Sequence, residues 1–210
     1  DRSYDQIRAE IDFILFLYNN GVRAAQPILS NHGNFVETVS LRDLDLYLVC
    51  FEKGAGMRVP DNQYRYRQEA PIEEYFQNWG KTLGQMHALS QRYKIGNVRM
   101  SRPDWFQLHK KKLNLDAIVP ESLPLVRKRV QNLLQEIQAL PKENDSYGLI
   151  HGDFNDGNFT VNYSNGDITV FDFDDSCYFW FAYELATAWE GGIGRVMFEG
   201  LEKRKRFMNH

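Results

Sequence analysis

The sequence predicts an α+β fold in which a small antiparallel sheet comes first and a mainly helical part follows. Short β-prone runs separated by turn signals fill much of the first 53 residues. Two stretches with apolar residues at helical spacing, near residues 71–87 and 122–139, come later. A hairpin signal, Asn165-Gly166 between two β-prone runs, lies further on. Separate blocks of strands and helices are typical of α+β proteins.

The composition is that of an ordinary globular protein and excludes several functional classes. Of the 210 residues, 43% are hydrophobic and 25% charged, and the chain is long enough for one or two domains. The net charge of −3 gives no reason to expect a nucleic-acid partner. There is no signal peptide and no apolar run long enough to cross a membrane. Two cysteines are too few for a disulfide framework, so we expect a cytoplasmic protein.

The first predicted element is a helix from about Tyr4 to Asn20, because apolar residues recur there at helical spacing and Gly21 follows as a stop. Glu10 lies on the inner edge of the apolar face. A carboxylate in that position is costly unless it is paired. We therefore expect Glu10 either to have a cationic partner or to lie at the edge of an amphipathic helix.

Three β-like runs follow, at residues 25–29, 35–41 and 46–51. They predict a small antiparallel sheet with a turn at residues 31–34. The next stretch, residues 55–68, lies among glycines and Pro60, and we interpret it as a solvated linker rather than a binding site.

The later part of the chain is predicted to be mainly helical. Pro71 suits the first position of a helix in which Gly80 and Gly84 allow a close helix contact and His87 is a packing residue. A buried helix is expected from Cys177 to Trp189, closed by Gly191-Gly192. The helix near residues 122–139 should turn six side chains inward: Leu123, Val126, Val130, Leu133, Leu134 and Ile137.

A polar loop and an acidic segment carry the chemistry of the sequence. The segment around Asp172 ends the second run of the predicted hairpin, so the hairpin folds Asp172 back beside the polar loop. Three oxygen-bearing side chains, Asp153, Asn158 and Asp172, should therefore converge. In full, the loop is His151-Gly152-Asp153-Phe154-Asn155-Asp156-Gly157-Asn158 and the segment is Val170-Phe171-Asp172-Phe173-Asp174-Asp175.

This set of side chains is what phosphoryl transfer requires. Magnesium takes hard oxygen ligands, usually one or two protein carboxylates plus phosphate oxygens and water. A separate Asp takes the proton of the attacking hydroxyl, and an Asn on the same loop helps to hold the metal. Asp153 fits the base, while Asn158 and Asp172 fit the metal pair.

The order and spacing of these residues resemble the kinase catalytic loop and its downstream metal-binding Asp. His-Gly-Asp at 151–153 and Asp-Phe-Asp at 172–174 look like the motifs of the aminoglycoside phosphotransferase and choline kinase family. Within it, the chain is most similar to homoserine-kinase-like and stress-response kinases of bacteria. The resemblance implies a protein-kinase-like fold that uses ATP and Mg²⁺, with Asp174 as a further carboxylate at the metal.

The resemblance also implies roles for residues without special chemistry of their own. Glu10 matches the helix Glu that pairs with the Lys gripping the nucleotide phosphates. Backbone groups of Phe51 and Glu52 match the hinge at adenine, His151 belongs to the loop motif, and Glu184 replaces an Asp that bonds back to the catalytic loop. Residues 1–53 would then be the remnant of the nucleotide-binding lobe with the hinge, and residues 54–210 the helical catalytic lobe.

The chain matches only part of the family pattern. Nothing before Glu10 supplies the early strands, the phosphate-covering loop or the phosphate-gripping Lys, and the helices that follow in relatives are missing. We expect the 210 residues to be a fragment, truncated at both ends, that is inactive or nearly so by itself.

The predicted function is transfer of the ATP γ-phosphoryl group to a hydroxyl of a small molecule such as an amino alcohol, a sugar or an aminoglycoside. A protein Ser/Thr kinase of the stress-response type would differ only in its acceptor. A nucleotide-binding pseudokinase is suggested by the absent Lys. A haloacid-dehalogenase-like phosphatase is a fourth option, since residues 168–175 resemble its nucleophile motif with Asp172 attacked by phosphorus and Asp174 as acid. That motif stands near the start of its domain, whereas only 35 residues follow Asp175.

Overall fold

The computed structural model describes residues 2–42, 44–94, 102–110 and 113–198. Its elements form a strand-containing first part and a mainly helical second part, as the sequence predicts. In chain order they are α1 (Tyr4–Asn19), β1 (Pro27–Ile28), β2 (Glu37–Leu41), β3 (Leu44–Leu48), β4 (Cys50–Phe51), a 3₁₀ turn (Pro60–Asn62), α2 (Ile72–Ser90), α3 (Trp105–Leu108), α4 (Leu115–Ile118), α5 (Pro124–Gln138), β5 (Tyr147–Ile150), β6 (Phe159–Val161), β7 (Ile168–Val170), a second 3₁₀ turn (Phe173–Asp175), β8 (Cys177–Trp180) and α6 (Ala182–Phe198).

Helix α1 begins at a capping box. The Ser3 hydroxyl accepts the Gln6 backbone N–H, and the Gln6 side chain accepts the Ser3 N–H. One face of the helix is buried, and that face includes Glu10 as well as apolar side chains. The predicted first helix is therefore confirmed, and the carboxyl of Glu10 points into the protein.

The strands form four antiparallel pairs in the described part of the chain: β1 with β4, β2 with β3, β5 with β8, and β6 with β7. The predicted runs at residues 25–29 and 46–51 are shorter as strands than the sequence indicates, and the second is divided at Val49. This division turns the chain so that Cys50 and Phe51 pair with β1.

The β6–β7 hairpin is held on both of its outer edges. Val170 bonds to the chain after α1, where its N–H donates to Arg23 O at 2.8 Å and its carbonyl accepts the Ala25 N–H at 2.7 Å. Val161 exchanges two backbone hydrogen bonds with Met57, at 2.9 and 3.2 Å. The hairpin thus joins the first part of the chain to the second.

The largest core cluster lies around this hairpin. It combines the inner faces of α1 and α2 with the side chains of β6, β7 and the loop between β5 and β6. Trp79 packs against Phe159 with ring centroids 5.0 Å apart, and Phe13 of α1 packs edge-on against Phe173 of the second 3₁₀ turn at 6.0 Å. A rigid aromatic core therefore lies directly beneath the polar loop.

Two predictions about the helices are wrong. Residues 177–180 form strand β8 because they pair with β5, and α6 starts only at Ala182 and continues through Gly191-Gly192 to Phe198. Leu185 and Trp189 are 61% and 70% exposed, so this helix is not buried all round. In α5, Val130, Leu134 and Ile137 are half-buried, but three side chains expected inside are exposed: Leu123, Val126 and Leu133.

The predicted helix contact at Gly80 and Gly84 is also wrong, since a Cβ added at either position would have no atom within 4 Å. Among the described residues, no helix combines the length and the apolar character that crossing a membrane needs.

Candidate active site

His151 joins the polar loop to the strand that leads to Asp172. The ring is 1% exposed and packs against Phe173 with centroids 4.4 Å apart. Its Nε2 lies 3.0 Å from the Phe171 carbonyl, and its Nδ1 lies 3.3 Å from the Asp153 backbone nitrogen. A carbonyl can only accept and a backbone N–H can only donate, so the pairing assigns the ring proton to Nε2. His151 thereby fixes the backbone of Asp153.

Two amide side chains hold the Asp153 carboxylate. Asn155 Nδ2 donates to Oδ1 at 2.8 Å, and Asn158 Nδ2 donates to Oδ2 at 2.8 Å and to the Asp153 carbonyl at 2.8 Å. Asn155 was not among the predicted site residues. Because the nitrogen of Asn158 faces Asp153, its amide oxygen is the atom that is available as a metal ligand.

The hairpin brings Asp172 beside the loop, as predicted. Phe171 N–H donates to the Asn158 carbonyl at 3.0 Å, which places the two segments side by side. Asp172 adopts a left-handed conformation with φ 67° and ψ 59°. Desolvation in the cleft, followed by the nearby carboxyls of Asp174, Asp153 and Glu10, raises the pKa of Asp172 to about 6.

This acidic group fits a divalent cation whose coordination is completed by phosphate. The carboxyls of Asp172 and Asp174 are exposed, and Asp174 opposes the ionisation of Asp172, an effect that a bound cation would relieve. In the part of the chain that the structure describes, no three His, Cys, Asp or Glu side chains form a metal cage by themselves. Mg²⁺ sites at phosphates usually have only one or two protein carboxylates.

Glu10 is buried within reach of these carboxyls. Its side chain forms an ion pair with Arg2, and its Oε2 lies 3.7 Å from Nη1 of Arg102. Burial raises the pKa of Glu10, and the two arginines oppose that rise. Of the two alternatives for this carboxylate, a cationic partner or a place at the edge of an amphipathic helix, the structure shows the first, and the partners are arginines.

A cavity of about 620 Å³ opens above the acidic group, a size typical of small-ligand sites. It is lined by the three predicted nucleotide-binding residues, Glu10, Phe51 and Glu52, and by two of the predicted metal ligands, Asp172 and Asp174. The Glu52 N–H already donates to the Gln26 carbonyl at 2.8 Å, so that group is not a free donor for a base.

The segment after Phe51 contributes to this cavity, which corrects its interpretation as a solvated linker. Gly54, Gly56 and Met57 line the cavity. Gly56 has φ +86°, and a Cβ there would lie 1.8 Å from the Val161 carbonyl oxygen. The close approach of this segment to β6 has no local sequence signal beyond the glycines themselves.

Glu184 links the polar loop to two helices, α2 and α6. The side chain is fully buried, and its Oε1 accepts the Gly152 N–H at 2.9 Å. Its Oε2 lies 2.8 Å from Nε2 of His87, whose ring stacks on Phe181. Gly152 has φ +87°, and a Cβ there would lie 2.2 Å from the Asp175 carbonyl oxygen. These contacts place Gly152, and with it Asp153, against the second 3₁₀ turn at Phe173–Asp175.

Arg102 is a further residue of the site that has no sequence signal, because it lies far from its partners along the chain. It is 4% exposed and donates to the backbone carbonyls of Asp174 and Ser176. Asn155, the glycines and the arginines are thus the residues of this region that the sequence did not identify.

Comparison with known proteins identifies the family of the chain. The family model described as the phosphotransferase enzyme family (APH) matches residues 1–202. Amicoumacin kinase of Bacillus subtilis (strain 168) is 33% identical over 186 residues, which are 88% of this chain and 52% of that protein. The chain therefore spans about half the length of this curated relative.

Solved structures show the same fold. An amicoumacin kinase in complex with AMP-PNP and Ca²⁺ has a TM-score of 0.80 and 28% identity, over 99% of this chain and 61% of that one. A microcompartment-associated aminopropanol kinase has a TM-score of 0.71 and 27% identity, over 89% of this chain and 58% of that one. An aminoglycoside-3′-phosphotransferase of type VIII, at 14% identity and a TM-score of 0.53, is similar in fold alone. The predicted protein-kinase-like α+β fold is confirmed.

Proposed function

The chain belongs to the phosphotransferase enzyme family, and on that premise we propose that the full-length protein transfers the γ-phosphoryl group of ATP to a hydroxyl of a small molecule. The observation that carries the proposal is the placement of Asp153 and Asn158 beside the segment of Asp172, a residue that lines the nucleotide-sized cavity. Amicoumacin kinase and aminopropanol kinase are among the relatives, so an amino alcohol is the first acceptor class to test, before sugars and aminoglycosides.

In this proposal Asp153 orients the acceptor hydroxyl and accepts its proton. The two amide donors from Asn155 and Asn158 bond to its two carboxylate oxygens and fix the orientation of the side chain. Fixed geometry of this kind contributes much of the catalysis of phosphoryl transfer, which depends on positioning and electrostatics.

Asn158 and Asp172 would hold Mg²⁺, and Asp174 would add a second carboxylate. When bound, the ion neutralises charge on the β- and γ-phosphate oxygens. Glu10, Phe51 and Glu52 would lie on the nucleotide side, in the lobe formed by residues 1–53. The relative solved with AMP-PNP and Ca²⁺ supports the use of a nucleotide and a divalent cation. Both cysteines are free, in keeping with the reducing cytoplasm that we propose as its location.

The other readings have less support. A protein kinase would need a protein acceptor, and the relatives above 25% identity carry the names of small-molecule kinases. A pseudokinase would not need the aligned Asp153, Asn158 and Asp172. The haloacid-dehalogenase-like phosphatase has no support, since the matched family model covers residues 1–202 and describes phosphotransferases.

The test is acceptor-dependent release of ADP by the full-length protein with Mg²⁺, using amino alcohols, sugars, aminoglycosides and a test protein. Asp153→Asn should reduce turnover by about 10²- to 10⁴-fold, the usual contribution of a general base. Asp145→Asn, a change at an exposed loop position, is the matched control and should leave turnover unchanged. Release of ADP only with the test protein would favour the protein kinase. Magnesium-dependent ATP binding without turnover would favour the pseudokinase.

A further inference from the structure

Arg102 is a buried cation for which the proposed chemistry has no direct use. Its side chain is 1% exposed, and its segment lies beside β8, where Tyr178 N–H donates to the Pro103 carbonyl at 3.0 Å. A guanidinium taken out of water is costly unless its donors are bonded. The hydrogen-bond partners of Arg102 therefore indicate which parts of the chain its side chain connects.

These partners belong to two elements that both contribute to the site. Nε donates to the Ser176 carbonyl at 2.7 Å, and Nη2 donates to the Asp174 carbonyl, so one edge of the guanidinium holds the 3₁₀ turn after Asp172. Nη1 donates to the Gln6 carbonyl of α1 at 3.2 Å and lies 3.7 Å from the Glu10 carboxylate.

We infer that Arg102 is a positioning residue that links helix α1 to the second 3₁₀ turn, called here the acidic turn. It thereby fixes the positions of Asp172 and Asp174 relative to Glu10. The inference rests on the proposed function for the role of those carboxylates. Helix α1 belongs to the nucleotide lobe and the turn to the catalytic lobe, so the link joins the two sides of the cleft at its base. A rigid fork of five N–H donors can bond carbonyls on two sides at once, which the single ammonium of Lys cannot reproduce.

Arg2 provides a matched comparison because it contacts the same Glu10 carboxylate from the cavity side. Its side chain is 36% exposed and lines the cavity. Arg2→Ala removes a cation from Glu10 but leaves the bonds of Arg102 to the turn in place. An effect of charge alone would be seen in Arg2→Ala but not in Arg102→Lys, which keeps its cation, whereas loss of the link is specific to Arg102→Lys.

The first readout is hydrogen exchange in the full-length protein without nucleotide or metal. The Ser176 amide donates to the Phe173 carbonyl at 2.9 Å within the turn, and Arg102 holds the carbonyl side of the same residue. In Arg102→Lys, protection of this amide should fall by about tenfold or more, because local opening of the turn becomes easier. Arg2→Ala should leave it unchanged. Wild-type protection at Ser176 in Arg102→Lys would overturn the inference.

The second readout is the Mg²⁺ concentration for half-maximal ADP release. Arg102→Lys should raise it by about tenfold, the lower end of what residues that orient metal ligands contribute. Ile11→Ala, at a fully buried apolar position of α1, is the control for general destabilisation. An equal rise in Ile11→Ala would overturn the inference, because the effect would then come from a weakened helix. Arg102→Gln, which keeps two N–H donors on a single nitrogen, is tested with the same two readouts if the Lys variant does not fold.

The two proposals fail in different ways. If the wild type shows no magnesium-dependent reaction with ATP, the proposed function is wrong, and the exchange of the Ser176 amide still tests the link. If the wild type turns over and Arg102→Lys matches it in both readouts, only the link is wrong.

Discussion

Four carboxyl groups, those of Glu10, Asp153, Asp172 and Asp174, lie close together at the base of the cleft. Desolvation in the cleft, followed by the nearby carboxyls of Asp174, Asp153 and Glu10, raises the pKa of Asp172 to about 6. Asp153 has two amide donors and Glu10 has two arginines, whereas Asp172 has a carboxyl neighbour. Asp172 is thus the residue whose charge gains most from a cation.

Asp172→Asn should increase the stability of the metal-free protein at neutral pH. The pKa of Asp172 is higher in the folded chain than its ordinary value of 3.8, so ionisation opposes folding as the pH rises between about 4 and 6. The variant should match the wild type below pH 4 and exceed it above pH 6. The gain should be at most about 1 kcal/mol, because the side chain is more than a third exposed and water screens the repulsion. Urea unfolding at pH 4 and pH 7.5 measures it, with Asp145→Asn as the control. A variant less stable than the wild type at pH 7.5 would contradict the conclusion that ionisation of Asp172 opposes folding.

At the scale of elements, two glycines occupy opposite structural situations. Gly152 lies in the polar loop with φ +87°, and an added Cβ would lie 2.2 Å from the Asp175 carbonyl oxygen. Gly84 lies on the exposed side of α2, with no atom within 4 Å of an added Cβ. The same substitution should therefore act in opposite directions at the two positions.

Gly84→Ala should increase the free energy of unfolding by about 0.5–1 kcal/mol, because Ala loses less backbone entropy in a helix than Gly. Gly152→Ala should decrease it by about 1–3 kcal/mol, through the disfavoured backbone conformation and the contact with the acidic turn. Thermal unfolding of both variants tests this. Turnover should be normal in Gly84→Ala and reduced in Gly152→Ala. A neutral Gly152→Ala would show that the loop and the turn can separate without cost.

Local signals explain which elements could be predicted. The capping residues and periodicity of α1, and the Asn165-Gly166 turn of the hairpin, are encoded within a few residues, and they place Asp153, Asn158 and Asp172 correctly. Strand β8 exists because of its pairing with β5, so its apolar residues resemble a helix when read alone. Arg102 and residues 54–57 reach the site through contacts far along the chain, where no local pattern identifies them.

At the scale of the whole molecule, the cleft separates the helix and strands before Phe51 from the helical part after it. The cavity has lining residues on both sides, and the β6–β7 hairpin bonds to both Ala25 and Met57. A ligand in the cavity would therefore bridge the two parts. Binding to the folded state alone raises the free energy of unfolding in proportion to the logarithm of ligand concentration.

ATP with Mg²⁺ should stabilise the full-length protein as a unit. At a concentration of about one hundred times its Kd, the gain is about 2.7 kcal/mol, which corresponds to roughly 5–10 °C in Tm for a domain of this size. Asp172→Asn should lose the part of the shift that Mg²⁺ adds to ATP alone, because its carboxylate is a proposed ligand. Asp145→Asn should keep the whole shift. If Mg²⁺ adds the same shift in Asp172→Asn as in the wild type, the cation is bound without Asp172. Asn158 and Asp174 are then the remaining proposed ligands. The same assay tests them with Asn158→Ala and Asp174→Asn.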